Sequence, residues 1–255
     1  MVLEQPRKPP LVLLPHTAVG EAFWRSCRAR LYRELGYEVY VARESQLKSN
    51  PEAYSLLFED NPWIMGEKPV EEGDLVDGVK TEHQPFKRHV FDPGILKAGL
   101  FAESQRIARL SYQPQPRRGL EGRILLDLNI SSYRLRPGGR DCFEHIEDFV
   151  RRRYPDALTI VRETYDLAVR GFEVHPAAKH FESVAFSSIK EYCDMVASCE
   201  RVVCFQTGSL PFACYYNRRV DCLRTEDFEV VPNDPRRVLR IDCDFRSFDL
   251  REPHP

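Results

Sequence analysis

The stretch RVVCFQTGSLPFACYYNRR, residues 201–219, places a strand, a turn and a helix in direct succession. Residues 201–205 form a short apolar run with two valines, which predicts a buried strand. The polar turn Gln206-Thr207-Gly208-Ser209 ends this run. Pro211 then stands in the expected first turn of a helix, where its missing N–H costs nothing.

This turn is a candidate anion site. Thr207 or Ser209 can cap the helix. The free N–H groups and the positive dipole end of a helix N-terminus favour phosphate. One interpretation is therefore that Thr207, Gly208 and Ser209 bind phosphate, with Gly208 approaching the ligand closely because it has no side chain. The other is an ordinary strand-to-helix turn of an α/β protein.

The N-terminal part of the chain shows a similar pattern. Leu11–Leu14 is an apolar run that predicts a buried parallel strand, and residues 20–35 predict a helix ended by Gly36. Residues 37–42 predict the next strand, which completes a βαβ unit and implies a parallel sheet. The expected core stripe of the helix is Phe23, Cys27, Leu31 and Leu35, and the arginines lying mostly off this stripe are Arg25, Arg28, Arg30 and Arg33.

The pattern of strand and helix restarts after a polar segment with two prolines and a glycine, residues 113–119. This segment predicts a linker between an N-terminal domain, 1–116, and a C-terminal domain, 117–255. Each domain begins with an apolar strand followed by a polar loop, and ligands of open α/β sheets bind at such strand ends. The other predicted elements are helices at 50–58, 95–110 and after the capping boxes at 141–144 and 188–191, strands at 63–65, 123–128, 157–161, 220–223 and 238–241, a weak strand at 74–79, and an extended tail or short helix from 245.

Composition narrows the class of protein. The 255 residues carry a formal net charge of −2, with 42% hydrophobic and 30% charged residues, which predicts a soluble globular protein without bulk attraction to nucleic acid or membranes. No apolar run approaches the roughly 20 residues of a membrane helix, and the N-terminus lacks a signal core, so we expect a cytoplasmic location. The eight cysteines form no CxxC pair and are predicted to be reduced core thiols. The sequence has no Walker loop, no G-x-G-x-x-G and no spaced His/Cys set, which argues against ATPases, dinucleotide oxidoreductases and a metal site.

Four segments carry a resemblance to glycosyltransferase family 9, the heptosyltransferase-like enzymes. They are the turn His16-Thr-Ala-Val-Gly-Glu21, the segment Asn61-Pro62-Trp63-Ile64, the helix start Ser187-Ser-Ile-Lys-Glu191 and residues 201–213. The resemblance implies an α/β fold of two Rossmann-like domains facing across a cleft, a compact GT-B-like arrangement. The chain departs from the family pattern because Gln206 replaces the usual Asp, Pro211 the usual His and Glu21 the usual Asp, and because the chain is shorter than typical members.

The resemblance also implies site residues. Glu21 would be the catalytic base, although an acidic residue in the first turn of a helix is also favoured by the dipole alone. A basic residue in the loop that carries Arg134, Arg136 and Arg140 would reach the donor diphosphate, for which a guanidinium is well suited. The remaining candidates rest on their positions in the chain and not on the resemblance. Glu163 follows a predicted strand, and His83 and His89 belong to a basic cluster with Lys87 and Arg88. The donor candidates are Glu163 and Gln206, and the acceptor candidates are His16, Thr17, His83 and His89.

The leading functional hypothesis is an inverting, metal-independent glycosyltransferase. It would need no cofactor and would move a sugar from a nucleoside-diphosphate sugar to a hydroxyl acceptor, with nucleic acid involved only as such an acceptor. The first alternative is a non-catalytic protein of the same fold that binds a sugar nucleotide or a partner, which Gln206 and Pro211 favour. The others are a sugar-nucleotide epimerase and a glycosyltransferase acting on nucleic-acid bases.

Overall fold

The computed structural model describes residues 8–15, 19–78, 110–130, 146–162, 174–217, 219–224 and 243–250. The chain forms two compact units, unit 1 (1–112) and unit 2 (113–255). The predicted helix at 95–110, except for its last residue, lies outside the described residues, as do the predicted strand at 238–241 and the capping box at 141–144.

Unit 1 contains a parallel sheet in the order β3-β2-β1-β4. The segment from 74 to 79, which the sequence marked as a weak strand, contributes β4, and this strand pairs with β1 along its whole length. The βαβ prediction is confirmed, because the first helix connects two parallel neighbours. The elements are β1 Leu11–Leu14, α1 Val19–Glu34, β2 Val39–Ala42, a 3-10 turn Gln46–Ser49, α2 Pro51–Tyr54, a π-helical turn Ser55–Glu59, β3 Glu67–Lys68 and β4 Leu75–Gly78.

Helix α1 has buried residues beyond its predicted core stripe. Phe23 and Cys27 are buried, but so is Arg25, which the sequence placed off the core face. The reason is Asp77 of β4, whose carboxylate lies 3.6 Å from Arg25 Nε and 3.0 Å from Arg28 Nη2 and accepts a 3.0 Å hydrogen bond from the Tyr32 hydroxyl. A buried carboxylate requires such partners, so the helix turns arginines toward the sheet.

Two turns contact helix α1, one at its C-terminal end and one at Asn61. Gly36 has φ 84°, as expected for a helix C-cap, and Tyr37 N donates to Tyr32 O at 3.0 Å. The strand predicted at 63–65 is absent, because the buried Asn61 side chain closes a turn there. Its Nδ2 donates to Ser26 O at 3.2 Å and its Oδ1 accepts from Trp63 N at 3.1 Å. Asn61 therefore ties this turn to α1.

Unit 2 contains a parallel sheet in the order β10-β9-β8-β5-β6-β7. Read from β7, the strands follow the 3-2-1-4-5-6 order of the doubly wound α/β fold. The sheet strands are β5 Ile124–Asp127, β6 Leu158–Arg162, β7 Glu182–Phe186, β8 Arg201–Phe205, β9 Arg219–Arg224 and β10 Asp244–Asp249.

Helices cover both faces of this second sheet. The predicted capping box at 188–191 is confirmed, because Ser188 Oγ accepts from Glu191 N at 3.2 Å and the Glu191 carboxylate accepts from Ser187 N at 2.7 Å. Hydrogen bonds from Ser187 hold the pKa of Glu191 below its ordinary value. The helices are α3 Ile146–Arg153, a 3-10 turn Pro176–His180, α4 Ile189–Ser198 and α5 Ser209–Tyr216.

The C-terminal segment is a strand and not the predicted tail or short helix. β10 pairs with β9 from Asp244 to Asp249, although three of its six residues are charged. Its anchor is Asp221 of β9, a fully buried carboxylate that accepts two 2.7 Å hydrogen bonds from Arg246. Arg201 and the Tyr154 hydroxyl, at 2.9 and 2.7 Å, complete this Asp221 cluster.

The segment predicted as a linker, 113–119, lies within unit 2 and is hydrogen-bonded to helix α4. Gln115 N donates to Asp194 Oδ1 and Arg117 N to Ser198 Oγ, both at 2.8 Å, so the segment runs along α4.

Seven of the eight cysteines are described, all as free thiols, and every one of them except Cys243 is buried, in agreement with the prediction of core thiols. Among the described residues, no helix has both the length and the apolar character needed to cross a membrane.

Candidate functional site

The candidate site lies at the carboxyl ends of β5 and β8. These strands are neighbours, yet their connections leave in opposite directions, to β6 on one side and to β9 on the other. In doubly wound sheets this reversal opens a crevice that binds ligands. Asp127 ends β5, and the turn that begins at Gln206 follows β8, so both lie at this edge.

The turn leads directly into α5, as the sequence predicted. Thr207 N donates to Phe205 O at 2.8 Å and Leu210 N donates to Thr207 O at 3.2 Å, which closes the turn. Gly208 is the N-cap and makes no side-chain cap, and Thr207 Oγ1 accepts from Ser209 N at 3.4 Å. The helix therefore begins at the edge of the sheet where the strand order reverses, and the positive end of its dipole lies there, an arrangement suited to phosphate.

Gln206 has a buried amide without a partner. The residue is 4% exposed, and among the described residues neither its Nε2 nor its Oε1 has a hydrogen-bond partner. Leaving a buried polar group unpaired costs about 1–3 kcal/mol. Such groups are rare in folded proteins and need an explanation, for which a ligand is one candidate. This donor and acceptor lie next to the N-terminus of α5.

Asp127 is a second buried polar group at this edge. The residue is 1% exposed, its Oδ2 accepts from the Tyr192 hydroxyl at 2.8 Å and its Oδ1 accepts from Asn129 N at 3.2 Å. The Ser209 hydroxyl also hydrogen-bonds to it. Burial raises the pKa of Asp127 above its ordinary value, and these three hydrogen bonds offset only part of the increase. Asp127 thus connects β5 to the first residue of α5.

The other two fully buried aspartates differ in their partners. Asp77 and Asp221 each face two arginines and a tyrosine hydroxyl. Within the described ranges Asp127 has hydrogen-bond donors but no ion pair. Its environment therefore stabilises a negative charge less than the environments of Asp77 and Asp221 do.

The structure brings four of the predicted site residues together, Gln206, Thr207, Gly208 and Ser209. Glu21 lies in the first turn of α1, and its side chain is not among those that the structure describes. Asp127 and Tyr192 were missed, although an aspartate that ends an apolar strand is a signal that could have identified the first of them. The candidates outside the described residues are His16, Thr17, His83, His89, Arg134, Arg136, Arg140 and Glu163.

Two segments of the family resemblance have structural roles. Asn61 fixes the turn that follows the π-helical turn, and Ser187 together with Glu191 fixes the start of α4. Within the described ranges, no three His, Cys, Asp or Glu side chains are grouped so that they could hold a metal ion.

Comparisons with known proteins show the fold. No family model matches the sequence, and no curated protein is significantly similar to it. The chain is similar to the dodecameric iron-containing heptosyltransferase TibC of enterotoxigenic E. coli H10407, solved with ADP-D-β-D-heptose, with a TM-score of 0.50 and 13% identity. The match covers 88% of this chain but only 60% of the TibC chain.

A second structure agrees with the first. The family 9 glycosyl transferase of Veillonella parvula DSM 2008 gives a TM-score of 0.53 at 9% identity, covering 96% of this chain and 87% of that one. At these identities the likeness concerns the fold. The α/β fold with parallel sheets and the resemblance to family 9 at the level of the fold are therefore confirmed, and the arrangement of the two units stays a prediction.

Proposed function

We propose that this protein is a glycosyltransferase that binds a nucleoside-diphosphate sugar at the carboxyl edge of the unit 2 sheet. The observation that carries the proposal is the unpaired amide of Gln206 beside the N-terminus of α5, at the point where the strand order reverses. A helix N-terminus suits the diphosphate. A neutral amide suits a hydroxyl-rich group that both donates and accepts hydrogen bonds. The shared fold with the family 9 structure supports this assignment.

The proposed reaction is an inverting, metal-independent transfer. An acceptor hydroxyl attacks the sugar carbon, the bond from that carbon to the diphosphate breaks, and the hydroxyl proton passes to Glu21 as general base. Arginines from the set Arg134, Arg136 and Arg140 would stabilise the departing diphosphate together with the α5 turn. Glu163 would face the nucleoside, and the acceptor side would be formed by His16, Thr17, His83 and His89.

A ligand screen tests first whether a nucleotide binds and then whether the protein turns it over. ADP, UDP, ADP-glucose and UDP-glucose are added separately, and the melting temperature is recorded, because a ligand that binds the native state raises it. Release of nucleoside diphosphate from the sugar nucleotide in water is then measured. Binding with slow hydrolysis supports a transferase, whereas binding without hydrolysis supports the non-catalytic alternative that Gln206 favours. No stabilisation by any of the four would contradict the proposed site.

Gly208→Val is expected to weaken binding of the sugar nucleotide that stabilises the protein by at least about tenfold, since its side chain would occupy the approach to the N–H groups of α5. Gly208 has φ −58°, a conformation open to any residue, so the variant should fold. Gly208→Ala serves as the smaller control and should weaken binding less. Calorimetric titration measures the affinities, and an unchanged affinity for the Val variant would move the phosphates elsewhere.

Gln206→Met is expected to stabilise the protein and weaken ligand binding together. Removing an unpaired buried amide should raise the free energy of unfolding by roughly 1–3 kcal/mol. Thr159 offers a matched control, because its hydroxyl is also buried without a partner but lies on β6. Thr159→Val should stabilise the protein without changing ligand affinity. If both variants leave affinity unchanged, Gln206 takes no part in binding.

A further inference from the structure

The starting observation is a buried carboxyl beside the proposed phosphate site that has hydrogen-bond donors but, within the described ranges, no ion pair. Asp127 is buried and hydrogen-bonds to Ser209, the first residue of α5. A phosphate at the N-terminus of α5 would therefore lie close to this carboxyl, in surroundings that screen charge poorly. Two negative charges in such a place repel each other. Either the carboxyl takes up a proton or the phosphate binds less tightly.

We propose that Asp127 is a specificity-determining residue of the α5 anion site, because phosphate binding there is coupled to uptake of a proton by its carboxyl. The inference rests on the proposed function, since it concerns the same site. A protonated Asp127 keeps its hydrogen bonds and adds a donor. A charged Asp127 opposes each further negative charge on the ligand. The site should therefore prefer a nucleotide sugar, with two phosphate charges, over the free nucleoside diphosphate, with about three.

Among the described residues, the groups that face Asp127 leave it as the one that titrates near neutral or acidic pH. Tyr192 faces it from α4, Cys204 from β8 and Ser209 from α5. Burial raises the pKa of the Cys204 thiol and of the Tyr192 hydroxyl well above their ordinary values, so both remain neutral. The pKa of Asp127 is also raised by burial, which brings its titration toward neutral pH.

The sign of the pH dependence follows from this arrangement. Below the pKa of Asp127 in the free protein, the carboxyl is already neutral and affinity is at its maximum. An anionic ligand raises that pKa further. Between the free and the bound pKa, binding takes up a proton and affinity falls by at most about tenfold per pH unit as the pH rises.

The test is calorimetric titration of the full chain with ADP-glucose and UDP-glucose, from about pH 4 to about pH 8, in buffers of different ionisation heat. No group of UDP-glucose titrates in this range, so a proton taken up with this ligand belongs to the protein. The adenine ring can take up a proton near the lower end of the range, so ADP-glucose is compared only above about pH 5. Wild type is expected to lose affinity as pH rises and to take up a fraction of a proton. Asp127→Asn is expected to abolish both effects and to tighten ADP more than ADP-glucose, or UDP more than UDP-glucose.

Tyr192→Phe provides the second variant. It keeps the carboxyl but removes a hydrogen bond that stabilises its charged form, so the midpoint of the pH profile should move to higher pH. A merely structural role for Asp127 would lower stability without moving that midpoint. This variant also decides the question if Asp127→Asn does not fold.

The outcomes separate the two proposals. The inference is overturned, and the proposed function is not, if wild type and Asp127→Asn bind with the same pH profile. The same holds if the midpoint of the pH profile does not move in Tyr192→Phe. Absence of binding by wild type at every pH would overturn the proposed function and this inference with it.

Discussion

Glu21→Gln is expected to slow sugar transfer by about 10²- to 10⁴-fold, the usual effect of removing a general base. Glutamine has almost the size of glutamate, so α1 and the sheet beneath it should remain intact. Donor affinity should change little, because the proposed diphosphate site belongs to unit 2, whereas Glu21 belongs to α1 of unit 1. Transfer rate and melting temperature are measured on the same variant, with the donor identified by the ligand screen.

The competing explanation of Glu21 makes a different prediction. If the carboxylate only interacts with the helix dipole, its loss costs roughly 0.3–1 kcal/mol of stability and leaves turnover unchanged. Glu34→Gln is the matched control, because Glu34 is an exposed residue at the other end of the same helix, paired with Arg30 at 2.8 Å. This control should transfer sugar at the normal rate. Near-normal transfer by Glu21→Gln would falsify the base assignment and turn attention to His16, His83 and His89.

The strands that the sequence predicted best are the apolar ones. β1 and β8 have the predicted bounds, because continuous apolar runs in a parallel sheet are buried on both faces. β10 was missed because its two aromatic residues, Phe245 and Phe248, are three positions apart and give no period-two pattern. It joins the sheet through Arg246 and the distant Asp221. The strand expected at 63–65 was wrong because a side chain, Asn61, closes a turn there. In both cases one polar contact outweighed the local pattern.

Only part of the candidate site could be predicted from the sequence. The turn from Gln206 to Ser209 could be predicted because a strand, a glycine and a proline in the first turn of a helix are local signals. The pairing of Asp127 with Tyr192 joins residues 65 positions apart, and no periodicity encodes it. The same holds for Arg25, which the sequence placed off the core stripe of α1 and which is buried because the fold brings Asp77 of β4 next to it. Burial of charge is decided by partners that only the fold brings together.

Asp221→Asn is expected to destabilise unit 2 by about 3–5 kcal/mol, the usual cost of breaking a buried ion pair by removing one partner. The fully buried carboxylate faces Arg201, Arg246 and the Tyr154 hydroxyl, and an amide can neutralise neither arginine. The loss should lie toward the lower end of that range, because the Arg246 side chain is 44% exposed and can regain water. Urea unfolding at neutral pH measures the difference in free energy.

The Asp221 cluster also makes a local prediction that a uniform loss of stability does not. Arg246 belongs to β10, so Asp221→Asn should speed amide exchange in Asp244–Asp249 more than in β5 at the centre of the sheet. Glu182→Gln on β7 is the control, because Glu182 pairs with Arg123 at 3.3 Å with side chains that are 74% and 38% exposed. An exposed pair of this kind contributes less than about 1 kcal/mol. Equal losses for the two variants, or faster exchange in β5 than in β10, would show that the Asp221 cluster does not hold the last strand on the sheet.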